Sequence, residues 1–389
     1  MRVVRLLVII TAITTSHPSS DTPGVSCDFY KNHSRFVACM DALQQSILRF
    51  LFFVHHAPKA LGTEELARTL DVPDARTLYR WQDEFADDLI YFPSVSFRAL
   101  GLDHWHLFID NPNSAWEEFE YAISGEWVTN HPGQRTLYLH CLAPAKHRAE
   151  FQQLLDDLHG CTHLHAMRTD DGWQVMRDLT DAASELDLVP TPALRDAPAV
   201  WDVIERFPLL IPVIFENVER RHTLPELWRR IYDRLGDRTW SFLPAGANRL
   251  PNNGKMYIKD AYALLNHTRL FRQNVIRYRP LDVISTTMFL HLHSGDLRSS
   301  ISAFGKQAST LDVYPITDTE VLLRVTATHA TMQYVMSSMS ELPRITDWFL
   351  VDALHPQRIT ARFAYEQLFD PLTTEWLFPR EEIMRRLQR

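Results

Sequence analysis

Glycine is scarce in this chain: 12 residues in 389, against 22 prolines. Loops that cradle phosphate need clustered glycines at set spacings, and no such cluster occurs. Cysteine is scarcer still. Cys27, Cys39, Cys141 and Cys161 form no CxxC pair, so zinc ribbons and disulfide scaffolds are excluded and the thiols read as reduced. HExxH and GxSxG are both missing, so zincin and serine-hydrolase chemistry have no support and the catalytic set read from motifs is empty. No run approaches the roughly 20 apolar residues of a membrane span. Positive charge is not in excess either: 40 Lys and Arg stand against 48 Asp and Glu, for a net charge of −8. That balance argues against nucleic acid as a partner without excluding it, so the local distribution of charge decides.

What is present suits ordinary folded domains. Hydrophobic residues make up 46% and charged residues 23%, near globular averages. A chain of 389 residues is too long for one domain, and about two to four is the expectation. At the N-terminus Arg2 and Arg5 precede the apolar run Leu6–Ile13, which has the form of a secretory signal. The other reading starts the protein at Met40, where the first periodic helix opens. Residues 1–39 are therefore set aside as an extension, and the remainder reads as cytoplasmic.

From Met40 to Val54, Leu43, Ile47, Leu51 and Val54 share one helical face. Thr63 caps a second helix, and Asp71-Val72-Pro73 leads into a third from Asp74 to Asp87. Leu66, Ala67, Leu70, Val72 and Leu78 fill the apolar positions that a helix-turn-helix requires. The pattern then changes: a strand at Leu100–Ile109, a helix at Ser114–Ser124, strands at Glu126–Asn130 and Thr136–Leu142, a helix at Ala145–Leu158, and a strand at Cys161–Arg168. That order, β-α-β-β-α-β, is the ferredoxin-like one.

The plan recurs after a polar linker. Helices are expected at Pro208–Val218, Leu224–Leu235 and Lys255–Phe271. Strands are expected at Val283–His293, Thr310–Tyr314, Glu320–Thr326 and Asp347–Ala353, with helices at Leu297–Phe304 and Met332–Leu342 and a helical tail at Phe363–Arg389. The fold class is thus α+β: a winged helix-turn-helix plus a ferredoxin-like βαββαβ domain, twice in tandem. The divisions are a first helix-turn-helix at 40–95, a first ferredoxin-like domain at 96–177, and a linker at 178–200. A divergent second helix-turn-helix follows at 201–280, then a second ferredoxin-like domain at 281–360 and the tail at 361–389.

The stretches EELARTLDVPDARTLYRW (Glu64–Trp81), FPSVSFRALGL (Phe92–Leu102) and WVTNHPGQRTLYLHCLAP (Trp127–Pro144) resemble the Lrp/AsnC family of feast/famine regulators. Thr77-Leu78-Tyr79-Arg80 is similar to the family's third-helix sequence. The resemblance implies a transcription regulator that binds DNA, senses a small effector such as an amino acid, and pairs its two halves within the chain or assembles as a homo-oligomer. In a recognition helix, Arg76, Thr77, Tyr79, Arg80 and Gln82 would face base edges and phosphates. Pro73 and Asp71 depart from the family's usual serine and glycine. In the second half Lys255, Lys259, Arg269, Arg272, Arg277 and Arg279, with Arg229, Arg230 and Arg234 on the preceding helix, form the most basic region, which could hold phosphates; a solvated charged face is its plain alternative.

Strand parity exposes a further feature. His104 and His106 alternate with Trp105, Leu107 and Ile109, His140 with Leu139 and Cys141, and His163 and His165 with Leu164 and Ala166. With the apolar set facing helices, these histidines share the opposite face, and His291 and His293 repeat the pattern in the second half. Such a face could hold a metal, a haem-like cofactor or an anion, or could be a seam between paired sheets. The regulator reading needs no cofactor. The alternative reading is enzymatic: siroheme decarboxylases are similar in architecture, and Val128-Thr129-Asn130-His131 resembles their central strand, which would imply an iron tetrapyrrole. A scaffold of the same parts that binds no DNA is the third reading.

Overall fold

The strand Leu102–Asp110 is buried on both faces along almost its whole length. A strand of that kind needs a layer on each side; here one layer is helical and the other is a second sheet. The computed structural model describes residues 67–68, 76–77, 89–130, 134–159, 163–176, 197–217, 224–244, 247, 254–267, 270–278, 285–308, 310–328, 332–333, 336, 345–351, 358–359 and 362–388.

In the first half the elements are β1 (Leu89–Val95), β2 (Leu102–Asp110), β3 (Ala122–Asn130), β4 (Arg135–Pro144), α1 (Arg148–His159), β5 (Leu164–Thr169) and β6 (Trp173–Met176). Helices α2 (Ala197–Arg206), α3 (Leu210–Asn217), α4 (Leu224–Leu235) and α5 (Gly254–His267) follow. Then come β7 (Phe271–Tyr278), β8 (Ser285–His293), α6 (Leu297–Gln307), β9 (Thr310–Pro315), β10 (Glu320–Thr328), β11 (Ile345–Val351) and β12 (Arg358–Ile359). The chain finishes with α7 (Tyr365–Leu368), β13 (Phe369–Asp370), β14 (Glu375–Trp376) and α8 (Arg380–Leu387).

The fold is mixed α and β around a large antiparallel sheet of ten strands, ordered β5-β2-β4-β3-β11-β8-β10-β9-β6, with β12 also on β3. Within it β5-β2-β4-β3 and β11-β8-β10-β9 repeat one arrangement: fourth strand, first, third, second. The two sets join where β11 pairs β3, with Asn130 opposite Phe349. They meet again at the far ends, because Asp170, Asp171 and Gly172 are all that separates β5 from β6. Asp170 N donates to Pro315 O at 2.7 Å there. A Cβ at Gly172 would lie 2.4 Å from the Tyr314 ring, so the closing turn needs glycine to let the backbone approach. The sheet therefore folds over on itself. Phe108, Val128, Tyr138 and Met167 of the first set pack against Phe289, Leu322 and Phe349 of the second.

Helix α1 buries Phe151, Leu154, Leu155 and Leu158, an i, i+3, i+4, i+7 stripe against the outer face of the first sheet set. The expected helix at Ser114–Ser124 is only one short 3-10 stretch, Ser114–Glu118. Trp116, Phe119 and Tyr121 are fully buried beneath the helix layer, and α8 occupies that layer instead. The Asn113 side chain donates to Leu387 O at 2.8 Å, and Arg386 pairs with Glu120. Tertiary packing here overrides a helical-looking pattern rich in aromatics.

Other expectations also change. The tail is not continuously helical: β13 and β14 make a small hairpin between α7 and α8. The third helix of the second half ends at His267, and residues from Phe271 form β7, which pairs with β1 across the halves. Ala197–Val200, placed in the linker, belong to α2. Residues 1–66, with the signal-like run, Met40 and Thr63, lie outside the described residues, as do linker residues 178–196.

Helices α2 to α5 share a core with the first sheet set, where Val200, Ile204, Phe207 and Phe215 join Phe97, Leu100 and Trp105. Glu216, with no side-chain exposure, lies at the centre of an ionic cluster there. Arg234 donates to it at 2.9 Å, the Tyr365 hydroxyl donates at 3.1 Å, and Arg230 and Arg362 also pair with it. Arg234 stacks 4.3 Å over the Tyr365 ring. Burial opposes the Glu216 charge, but the surrounding guanidinium groups outweigh it and hold the carboxyl below its ordinary range. Arg230 and Arg234 are thus structural partners of a buried acid.

Candidate functional site

The strand registers bring the polar groups together. His106 lies directly opposite His140, and Phe108 opposite Tyr138, between β2 and β4. Both rows point inward, toward the second sheet set. His104 and His140 stack at 5.1 Å between centroids, and His106 and His140 at 4.4 Å. Tyr314, from β9, closes over His106 at 4.5 Å and His140 at 5.6 Å.

Hydrogen bonds order this stack. Asp171 accepts from Ser96 Oγ at 2.5 Å and from Arg98 N at 3.1 Å. His104 Nε2 lies 3.0 Å from Asp171 Oδ1, and its Nδ1 lies 2.8 Å from His140 Nε2. A carboxylate can only accept, so His104 donates from Nε2. The direction of the His104–His140 hydrogen bond follows the tautomers of the two rings. His106 contacts the Tyr138 hydroxyl at 2.9 Å through Nδ1 and Thr169 Oγ1 at 3.2 Å through Nε2.

Burial sets the electrostatics. His106 and His140 are pushed well below the ordinary imidazole value, mainly by desolvation and then by the neighbouring histidines, so both rings are neutral at neutral pH. Desolvation raises Tyr138, with Tyr314 and Glu126 adding to it. Arg324 donates from Nε to Glu126 at 3.1 Å and from Nη1 to Asp312 at 3.4 Å. Burial works against its charge, yet Glu126 and Asp312 raise its pKa and keep it a cation. Next to the stack is a cavity with about 30 Å³ of free space, lined by Ser124, Glu126, Tyr138, His140, Tyr314 and Arg324. That is room for a water or two.

The seven histidines read from strand parity divide. His104, His106 and His140 form the stack. His165 and His291 meet at another edge of the seam, with centroids 6.1 Å apart. His163 precedes β5 and sits beside His159 at 6.5 Å, away from the seam. His293 is 46% exposed and pairs with Glu320 at the rim. The last two stand apart from the stack because they lie at strand ends: His163 just precedes β5, and His293 is the final residue of β8, paired with Glu320. Tyr314, Glu126, Arg324, Asp312 and Asp171 were missed as site residues. Parity along β3, β9 and β10 carries the signal for four of them. Asp171 lies in a turn, where parity says nothing.

For the DNA-facing set the structure describes less. Arg76 is exposed and Thr77 half-buried, both in helical conformation. Tyr79, Arg80 and Gln82 lie outside the described residues. Lys259 is exposed on α5, and Lys255 lies in that helix's first turn. Cys141 is buried and unpaired, and the other cysteines lie outside the described residues.

Among the described residues no helix is long and apolar enough to cross a membrane. No protein-family model matches the chain, and no curated protein matches it. The crystal structure of the siroheme decarboxylase NirDL is similar at 9% identity and a TM-score of 0.43, over 88% of this chain and 100% of that one. The same protein in co-complex with an iron-uroporphyrin III analogue matches at 9% identity and a TM-score of 0.40, over 82% of this chain and 95% of that one.

Proposed function

We propose that this chain is a cytoplasmic acid–base enzyme acting on a small carboxylate-bearing molecule in the seam between its sheets. In this reading its architecture is of the Lrp/AsnC type, two copies of a helix-turn-helix joined to a ferredoxin-like module. The repeated fourth-first-third-second strand order supports the duplication. The observation that carries the functional reading is the buried stack of His104, His106 and His140, anchored at Asp171 and reaching the cavity at His140.

A seam that only holds two sheets together is better filled with apolar side chains, because burying polar groups costs desolvation. The same seam does that nearby, where Phe108 stacks on Phe349 at 3.9 Å. Neutral imidazoles in a dry site are suited to taking and returning protons. The Ser124 and Tyr314 hydroxyls and the Arg324 guanidinium are donors around the cavity and suit carboxylate oxygens. Decarboxylation is the simplest chemistry that uses both properties. The carboxylate leaves as CO2, its bonding pair stays on carbon, and a proton from the His140–Tyr138 side forms the new C–H bond.

An iron tetrapyrrole does not fit the His140 cavity as it stands among the described residues, since that cavity has room for a water or two rather than a macrocycle. It enters the test as a substrate that would require the sheets to part. Imidazole resonances of the whole protein are followed by NMR during titration with acetate and propionate, and Soret absorbance during titration with iron uroporphyrin III. Shifts confined to His104, His106 and His140, lost in His140→Ala, support the reading. Histidine signals and absorbance that stay unmoved by any of these ligands sink it.

The regulator reading stands second, favoured by the exposed helical cations Arg76, Arg229 and Lys259. Its partners would be DNA and an effector at the same seam. Salt-dependent gel shifts that are unchanged in the paired variant Arg76→Ala, Arg80→Ala would remove it.

A further inference from the structure

We propose that His165, His291 and Asp347 form a binding site for a divalent transition-metal ion, of the zinc or nickel class, that clips the two sheet sets together at one edge of the seam. The residues come from three strands: His165 from β5 in the first set, His291 from β8 and Asp347 from β11 in the second. Asp347 sits directly opposite His291 in the β11–β8 register. One donor atom from each residue lies within 4.8 Å of the others.

His291 gives the independent indication. Its side chain is only 14% exposed, and among the described residues neither ring nitrogen has a hydrogen-bond partner. A buried imidazole with both nitrogens unpaired calls for an explanation, and a metal ligand is one that repays the desolvation. Asp347 Oδ2 approaches His291 Nδ1 at 3.9 Å, beyond hydrogen-bonding distance. Donors bound to one tetrahedral zinc at about 2.0–2.1 Å stand roughly 3.3–3.5 Å apart. Rotations of His165 and Asp347, both exposed, would close the gap without moving the backbone. Two imidazoles and one carboxylate suit a borderline metal rather than magnesium or calcium, and solvent can complete the coordination at the exposed side. The ion would join strands not hydrogen-bonded to each other, β5 and β8, at a place where the seam is otherwise open to water.

The inference does not depend on the chemistry proposed at the His140 cavity, because the variants below leave that cavity intact. Tag-free full-length protein is stripped with chelator and titrated with Zn²⁺ by calorimetry, and with Co²⁺ by visible absorbance. One equivalent should bind, with a tetrahedral cobalt spectrum. Losing an outer-sphere partner alone costs about 10–100-fold in metal affinity, so His165→Ala and Asp347→Asn should each weaken binding by at least about 100-fold. Both positions are at the surface, and circular dichroism confirms that the variants fold. His293→Ala, at the neighbouring rim, should bind as the wild type does. No stoichiometric binding, binding that survives both variants, or equal loss in His293→Ala overturns the site.

Discussion

Lowering the pH should destabilise the protein through His106 and His140. In the native state both rings are buried, 0% and 8% exposed, and burial depresses their protonation. Around them stand His104, Asp171, Thr169, Tyr138 and Tyr314. Asp171 is engaged by His104, Ser96 and Arg98, and among the described residues His106 and His140 hydrogen-bond to Tyr138, Thr169 and His104 rather than to a carboxylate. In the unfolded chain each ring takes up a proton near its ordinary value of 6.5. Below that value the unfolded state holds more protons than the native state, so stability is full above it and falls as pH drops. A ring that stays neutral when folded contributes up to about 1.4 kcal/mol per pH unit, and the pair up to about 2.7 kcal/mol per unit. Against a total stability of about 5–15 kcal/mol, one or two pH units matter. Urea unfolding followed by tryptophan fluorescence between about pH 7.5 and pH 5.5 measures this slope, above the range where carboxylates titrate. His106→Gln and His140→Gln keep a polar group in place, and each should remove up to about one proton from the slope. A double variant as acid-sensitive as the wild type would refute the reasoning.

Glu216→Gln removes the fully buried carboxylate shared by Arg230, Arg234 and Arg362, and leaves Arg234 with Glu366 as its remaining carboxylate. The expected loss is about 3 kcal/mol, the low end for a broken buried pair because Glu366 stays in place, read as a lower urea midpoint at neutral pH. Trp376→Ala removes an indole that is 6% exposed and donates to Leu100 O at 2.7 Å. The cavity should cost about 3–5 kcal/mol and make the C-terminal segment cleavable at low protease, which a limited-digestion time course measures. Gly101→Ala places a side chain at φ +71° and 3.1 Å from the Trp201 ring. A loss of roughly 1–2 kcal/mol follows from the left-handed backbone alone, and thermal unfolding reads it as a lower midpoint.

Much of the local structure was legible in the residues. The alternation of Trp105, Leu107 and Ile109 with His104, His106 and Phe108 marks a strand buried on one side by apolar groups. The stripe Phe151, Leu154, Leu155 and Leu158 marks the helix that covers it. Those periodicities hold because a strand repeats every two residues and a helix every 3.6, whatever the neighbours are. They also placed the stacked histidines on one face. What no local pattern contains is the partner of that face. Tyr314, Arg324 and Asp312 reach the stack from a segment nearly 200 residues away in the chain. They do so because β3 pairs with β11 and because Asp170–Gly172 turns β5 into β6.

The same holds for the ends of the molecule. Ser114–Ser124 looks helical in isolation, yet Arg380–Leu387 occupies the layer it would have filled. Mixed α and β patterning and the shared face of His104, His106 and His140 were determined by sequence period alone. Folding one sheet over the other, which dries His106 and His140, leaves His291 with both nitrogens unpaired and puts His163 and His293 outside, was decided by the tertiary structure. Desolvation and strand register act on distances in space, and neither is written in the order of neighbouring residues.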